Sequence, residues 1–134
     1  MSFKMSFKPH ELAYLQEVQL GRLATIQPNG TPQVSPVGFT YNEDLDTIDI
    51  GGYRMSASQK YRNIASNDKV AFVVDDIASR DPWRVRCLEI RGVAEQATSS
   101  GSAIIRIRPR RVISFGIDNQ ITEPHELVAD IRNV

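Results

Sequence analysis

One stretch of this chain combines residue types that bind anions. The short apolar segment at 47–50 ends in Gly51 and Gly52, and a hydroxyl-rich loop then leads into an amphipathic helix whose first turn carries Lys60 and Arg62. Glycines allow sharp turns, and hydroxyls and amides at a helix start can receive a phosphate. The stretch at 51–64 therefore predicts an anionic ligand site, although a solvated helix face explains Lys60 and Arg62 equally well.

A second group with chemical potential lies at residues 81–84. Trp83 and Arg84 follow directly after Asp81 and Pro82. An exposed aromatic ring beside a guanidinium suits a planar or phosphorylated ligand, or a subunit interface. Plain packing of Trp83 is an equal alternative.

Metal and nucleophilic chemistry find little support in the sequence. His10 and His125 both lie in predicted first turns of helices, and with Cys87 they show no metal-ligand spacing, so we predict no metal site. Cys87 lies in the middle of a predicted strand, which favours a small core residue over a nucleophile. We assign no catalytic side chain.

The composition bounds the class of protein. The 134 residues suffice for one domain, and 16 basic residues balance 16 acidic ones, so bulk charge gives no reason to expect a nucleic-acid partner. A single cysteine fits a reducing cytoplasm, and no apolar run approaches the roughly 20 residues of a membrane helix. We expect a cytoplasmic protein without a membrane partner.

The elements that must position these residues are mostly strands. We predict a first helix that begins at Pro9 and closes at Gly21, a short helix after residue 58, and strands at 22–26, 33–41, 47–50, 70–74, 83–96, 103–107 and 112–116. Residues 75–82 are predicted to form a polar loop, and residues 108–111 a basic corner. This pattern indicates a mainly β fold with inserted helices, a small antiparallel barrel of six or seven strands.

The order of several sequence blocks resembles the pyridoxamine 5'-phosphate oxidase-like split-barrel superfamily. The blocks are LGRLAT at 20–25, GTPQVSPV at 30–37 and TIDIGG at 47–52. Later segments are similar to its deazaflavin branch, whose members use coenzyme F420: KYRNI at 60–64, VAFVVDD at 70–76, DPWRVR at 81–86, EIRG at 89–92 and RPRRVIS at 108–114. The resemblance covers about residues 6–118.

The resemblance implies a homodimer with cofactor sites at the interface and an F420-dependent reductase that passes a hydride to a conjugated C=C or C=N of a small organic substrate. An FMN-binding oxidoreductase and a non-enzymatic F420-storage dimer are the alternatives. The resemblance also implies that a flat cofactor ring lies against one strand, that a second group of residues binds the ring edge and the phosphate, and that the partner subunit contributes further contacts. These roles fall on Val34, Ser35, Pro36 and Val37; on Tyr53, Arg54, Met55, Ser58 and Lys60; and on Trp83 and Arg84.

This chain departs from the family pattern at three positions. Relatives often have a basic residue where it has Gln59, glycine where it has Cys87, and tryptophan where it has Phe115. The domain plan is a flexible tail at 1–7, a split-barrel domain at 8–118 of the FMN-binding type, and a C-terminal extension at 119–134 that we predict to be helical from Glu123.

Overall fold

The computed structural model describes residues 5–118 and 127–134. Helix α1 spans Pro9–Glu17 and helix α2 spans Gln59–Ser66, preceded by a short 3-10 helix at Met55–Ala57. The strands of the described residues are β1 Leu20–Ile26, β2 Pro32–Gly38, β3 Thr40–Asn42, β4 Thr47–Ile50, β5 Lys69–Arg80, β6 Trp83–Ser99, β7 Ser102–Phe115 and β8 Asp130–Asn133. No helix among these residues is both long and apolar enough to cross a membrane.

All pairings within the sheet are antiparallel, in the order β2-β1-β5-β6-β7-β4-β3, with β8 also paired to β7. Strands β2 and β3 lie at opposite ends of this order, yet only Phe39 separates them along the chain. The sheet must therefore curl until its two ends meet, which makes a barrel with a split between β2 and β3. The predicted split-barrel fold is confirmed.

The barrel interior is a single apolar core. Leu23, Ile48, Phe72, Leu88 and Ile105 are each at most 1% exposed. In β5 burial alternates along the strand, because Val70, Phe72 and Val74 point inward while the residues between them are only half-buried. The apolar run at 70–74 therefore has one fully buried face, not the two that a continuous apolar run suggests.

Strand β5 continues to Arg80, so the prediction of a polar loop at 75–82 is wrong. The polar residues stay in the ladder because they find charged partners across it. Asp76 lies opposite Arg86 and pairs with its guanidinium at 2.5 Å, and Asp75 pairs with Arg22 of β1. The result is a long β5–β6 hairpin that continues past the last residue pairing β5 with β1, Val73.

The predicted basic corner at 108–111 is also wrong, because residues 102–115 form one strand. A bulge absorbs the proline: Arg91 pairs with Arg111, but Gly92 pairs with Pro109, so β7 carries one extra residue. Proline is tolerated at bulges, where the ladder needs no donor. A side chain at Gly92 would overlap the Arg108 carbonyl oxygen, so the close approach here requires glycine.

Two boundaries predicted near the N-terminus need correction: the end of the first helix and the end of the flexible tail. Helix α1 ends at Glu17, and Gly21 lies inside β1, where a side chain would overlap the Phe72 ring. The fold already includes Ser6 and Phe7, which are buried, so the flexible tail cannot extend to residue 7. Residues 1–4 lie outside the described residues.

The C-terminal extension is a strand at Asp130–Asn133, so the prediction of a helix is wrong for these residues. The predicted start of that helix, at Glu123, lies outside the described residues. Strand β8 is fastened to the N-terminal segment by Arg132, which donates hydrogen bonds to the Glu11 carboxylate and to the Ser6 carbonyl. This tertiary pairing outweighs local helix preference.

Candidate functional site

The loop after β4 owes its shape to Arg54 and not to its two glycines. Gly51 and Gly52 have no left-handed backbone, whereas Arg54 has φ 56°. Such a conformation costs a non-glycine residue about 1–2 kcal/mol, and strained residues of this kind are frequent in binding loops. The Arg54 guanidinium lies 5.5 Å from the centroid of the Tyr53 ring, and that ring is 92% exposed.

Two predicted site residues, Met55 and Ser58, shape this loop from within. The Met55 side chain is buried in the core. The Ser58 hydroxyl donates to the Met55 carbonyl at 2.6 Å and accepts from the Tyr61 N–H at 3.3 Å, which caps α2. Because the Ser58 backbone N–H also donates to the Met55 carbonyl, at 2.9 Å, Ser58 can offer a ligand only the second lone pair of its hydroxyl oxygen.

The charges on α2 divide into one structural residue and one available residue. Arg62 donates to the Ala57 carbonyl at 2.7 Å and to Gln59 Oε1 at 2.9 Å, so it closes the loop. Lys60 is half-buried and takes part in none of the ion pairs of the described residues. No acidic residue lies between Gly51 and Asn67. The positive charge of the loop and helix start is therefore not neutralised by an acidic side chain of this segment.

Strand β2 presents an open edge, because within the described residues it pairs only with β1. The Gln27 N–H donates to the Thr31 carbonyl at 2.8 Å, and bonded and non-bonded pairs alternate along an antiparallel ladder. Odd-numbered residues of β2 therefore bond to β1, and the N–H of Val34 faces the open edge. Pro32 and Pro36 occupy the same phase, where no ladder donor is needed.

The four predicted residues of β2 divide by face. Val34 is 65% exposed and Pro36 is also exposed, whereas Val37 is 6% exposed and belongs to the core. Ser35 is half-buried. A flat ligand on the outer face of β2 would thus contact Val34 and Pro36, and only the backbone of Val37.

Asn63, which sequence reasoning did not assign to the site, joins α2 to β2. It is 0% exposed, and its amide nitrogen donates to Thr25 Oγ1 at 3.0 Å and to Gln33 Oε1 at 2.9 Å. Its amide oxygen accepts from Gln59 at 2.7 Å. A fully satisfied buried amide holds its surroundings in one geometry. The only sequence feature that indicates this role is the position of Asn63 beside Ile64, on the face of α2 that is buried.

Trp83 and Arg84 lie at the tip of the β5–β6 hairpin, apart from the loop that carries Arg54 and Lys60. Trp83 is 52% exposed and Arg84 is half-buried. No hydrogen bond or ion pair of the described residues joins this tip to residues 51–60. One chain therefore brings β2 and the cationic loop together but leaves the hairpin tip outside.

The raised pKa values of Cys87 and Tyr41 do not favour either side chain as a nucleophile. Burial, with smaller contributions from Asp75 and Glu89, raises the pKa of the Cys87 thiol to about 11, so the thiol stays protonated near neutral pH. Burial also raises the pKa of Tyr41, whose hydroxyl donates to Asp46 at 2.7 Å. No group of three or more potential metal ligands occurs in the described part of the chain, which excludes His125.

A family model described as pyridoxamine 5'-phosphate oxidase matches residues 7–124. The chain belongs to this family. A 5a,11a-dehydrotetracycline/5a,11a-dehydrooxytetracycline reductase from Streptomyces rimosus is 41% identical over 126 residues, covering 88% of this chain and 89% of the relative. The predicted resemblance to the pyridoxamine 5'-phosphate oxidase family and its reductases is confirmed.

Two solved structures are similar to this chain in fold. An F420 reductase superposes with a TM-score of 0.58 at 26% identity, covering 77% of this chain and 94% of the other. A conserved hypothetical protein from Mycobacterium tuberculosis gives a TM-score of 0.69 at 18% identity, covering 91% and 95%. The protein is an oxidoreductase of the pyridoxamine 5'-phosphate oxidase family.

Proposed function

We propose that this protein uses reduced coenzyme F420 to reduce a conjugated C=C or C=N bond of a small organic substrate. The observation that carries the proposal is the joining of two features by Asn63: a loop with uncommitted cations, and a strand edge with an outward amide. A phosphate-bearing flat cofactor needs both features. The reductase relative at 41% identity acts on a dehydrotetracycline, which supports a conjugated carbon–carbon bond as the acceptor.

The residues present fit such a cofactor. Arg54 and Lys60 would bind its phosphate, and Tyr53 would cover the ring edge. The Val34 N–H would donate to a ring carbonyl or nitrogen, with Pro36 against the ring face. When bound, reduced F420 would supply a hydride to one atom of the substrate double bond, and the other atom would take up a proton from water. The protein contributes orientation and the exclusion of water.

The site is completed by a second copy of the chain in this proposal. Trp83 and Arg84 lie at the tip of a hairpin that extends beyond the residues paired with β1 and β7, so they are placed to reach a neighbouring subunit. In a homodimer they would close the cofactor site of the partner, and each dimer would hold two sites.

Cofactor titration separates this function from its alternatives. The protein is titrated with F420 and, separately, with FMN while cofactor fluorescence is followed. We expect preferential F420 binding, and then oxidation of reduced F420 in the presence of enones, quinones or imines. Preferential FMN binding would contradict the F420 assignment. Tight F420 binding with no turnover on a broad panel would favour a storage dimer.

A further inference from the structure

A cavity of about 610 Å³ lies between helix α1 and the connection from β2 to β3. Its apolar walls come from Leu12, Leu15 and Val18 on one side and from Phe39 and Tyr41 on the other. This volume falls within the range of sites for drug-sized molecules, roughly 300–1,000 Å³. The cavity is separate from the cationic loop that would bind the cofactor.

The polar groups of this cavity are of a different kind from those of the loop. Gln16 and Gln19 line it, and Glu43 is the one charged side chain among the described residues that does so. No lysine or arginine from residues 5–118 or 127–134 is part of the lining. A carboxylate and neutral amides disfavour an anionic ligand and favour a neutral or cationic one with several hydrogen-bonding groups. The anionic and the neutral ligand would therefore bind at different places.

Strand β2 connects the two places. Gln33, near its start, contacts α2 through Asn63, and Gly38, at its end, lines the cavity. The five steps along the strand from Gln33 to Gly38 span roughly 17 Å, at about 3.3 Å per residue. Gly38 lies in the same outward phase as Val34 and Pro36. Along the strand, the contact between Gln33 and Asn63 thus marks the end of β2 nearer to α2, and Gly38 marks the end at the cavity.

We propose that this cavity is the substrate site of the reductase, and that it takes a molecule with an apolar body and a neutral or cationic polar rim. The dehydrotetracycline on which the 41% identical relative acts makes a molecule of several fused rings the class to test. The assignment of the ligand as substrate rests on the proposed function. The cavity adjoins the face of β2 where the ring would lie, so a bound polycycle would be next to the hydride donor. Gly38 keeps the junction open because it has no side chain.

Substitution of Gly38 tests the proposal directly. A side-chain carbon at Gly38 would meet no other atom within 4 Å, and its backbone is not left-handed, so Gly38→Leu adds volume without a built-in clash. We expect Gly38→Leu to weaken binding of tetracycline, followed by its own fluorescence in metal-free buffer without cofactor, by about tenfold or more. F420 affinity should stay within about twofold.

Three comparisons make the result decisive. Ala13→Leu adds the same side chain on an exposed position of α1 that does not line the cavity, and it should bind tetracycline like the wild type. Gln16→Phe fills the cavity from the opposite wall and should reproduce the loss if Gly38→Leu folds poorly. In turnover, Gly38→Leu should lower kcat/KM for a four-ring substrate much more than for cyclohexenone.

Two outcomes would overturn the assignment of the cavity. One is tetracycline binding that is unchanged in both Gly38→Leu and Gln16→Phe, and the other is no tetracycline binding by the wild type with or without F420. The proposed function fails separately, by absence of F420 binding in the wild type. Tetracycline binding that Gly38→Leu abolishes would still locate the polycycle in the cavity in that case.

Discussion

At the scale of single residues, Lys60 carries the charge on which cofactor binding should depend most, because Arg62 is committed to the loop. We expect Lys60→Ala to weaken F420 binding by about 1.5–3 kcal/mol, the value of a charge-assisted hydrogen bond. Fluorescence titration measures it. Lys69→Ala is the control, since Lys69 is exposed and pairs with Asp68 at 3.3 Å. An affinity unchanged by Lys60→Ala would remove Lys60 from the site.

Asn63 should contribute to both stability and cofactor binding. Asn63→Leu keeps the size of the side chain but removes every hydrogen bond that joins it to Thr25, Gln33 and Gln59. We expect a loss of about 1–3 kcal/mol in the free energy of unfolding, because buried partners are left unpaired. F420 affinity should fall with it, since the helix that carries Lys60 is no longer tied to β2.

Urea denaturation and F420 titration at a temperature where both proteins are folded give the two measurements. Asn133→Leu serves as the comparison, because its hydrogen bond with Arg111 is exposed and should be worth little. A variant at Asn63 that is as stable as the wild type would show that the network is not a constraint on the site.

At the scale of elements, β8 is held by a buried carboxylate. Glu11 is 0% exposed, and it accepts hydrogen bonds from Arg132, from the Ser114 hydroxyl at 2.6 Å and from the Lys8 N–H at 2.8 Å. Burial alone would raise the pKa of Glu11, but these bonds outweigh it and lower the pKa below its ordinary value of 4.5. Its stabilising effect is therefore present above pH 4.5 and is lost as the pH falls through the lowered value.

The variant Arg132→Met should be destabilised by about 3 kcal/mol near neutral pH, because it leaves Glu11 charged and buried. The pKa of Glu11 then rises, so the difference from the wild type should shrink as the pH is lowered. Urea denaturation at neutral and mildly acidic pH measures it. Arg108→Met removes an exposed pair with Glu95 and should change stability by less than about 1 kcal/mol. A difference that grows on acidification would contradict this account.

The sequence predicted the barrel because short apolar segments separated by turn residues predict many strands at short spacing, as in the apolar run at 70–74. It did not predict where strands end, because those ends depend on partners distant in sequence: Arg86 keeps Asp76 in a strand, and the bulge at Gly92 keeps Pro109 in one. The cationic loop was visible from residue types alone. The outward N–H of Val34 and the bonds of Asn63 were not, because both depend on register between elements.

At the scale of the whole molecule, a shared site in a homodimer makes a prediction that a monomer cannot fulfil. Lys60→Ala would remove a cofactor contact made by one subunit, and Arg84→Ala would remove a contact made by its partner. When the two variants are mixed and allowed to exchange subunits, half the dimers become mixed and each regains one intact site of two. We expect about a quarter of wild-type F420 binding at low cofactor concentration, well above either variant alone.

Sedimentation of the two variants should first establish that both remain dimers. Recovery is measured by F420 fluorescence after mixing, and a sample mixed without time for exchange is the reference. If the mixture binds no more F420 than the mean of its components, the hairpin tip does not complete the site of the partner.

The prolines of β2 have one more consequence, for solubility. An exposed sheet edge with successive free donors can recruit another strand and begin an aggregate. Pro32 and Pro36 remove the donors on either side of Val34, so the edge offers an isolated amide between two gaps. That spacing suffices for one carbonyl of a small flat molecule but interrupts the regular ladder that a foreign strand would require. The edge can thus stay open to a ligand without becoming a template for fibres.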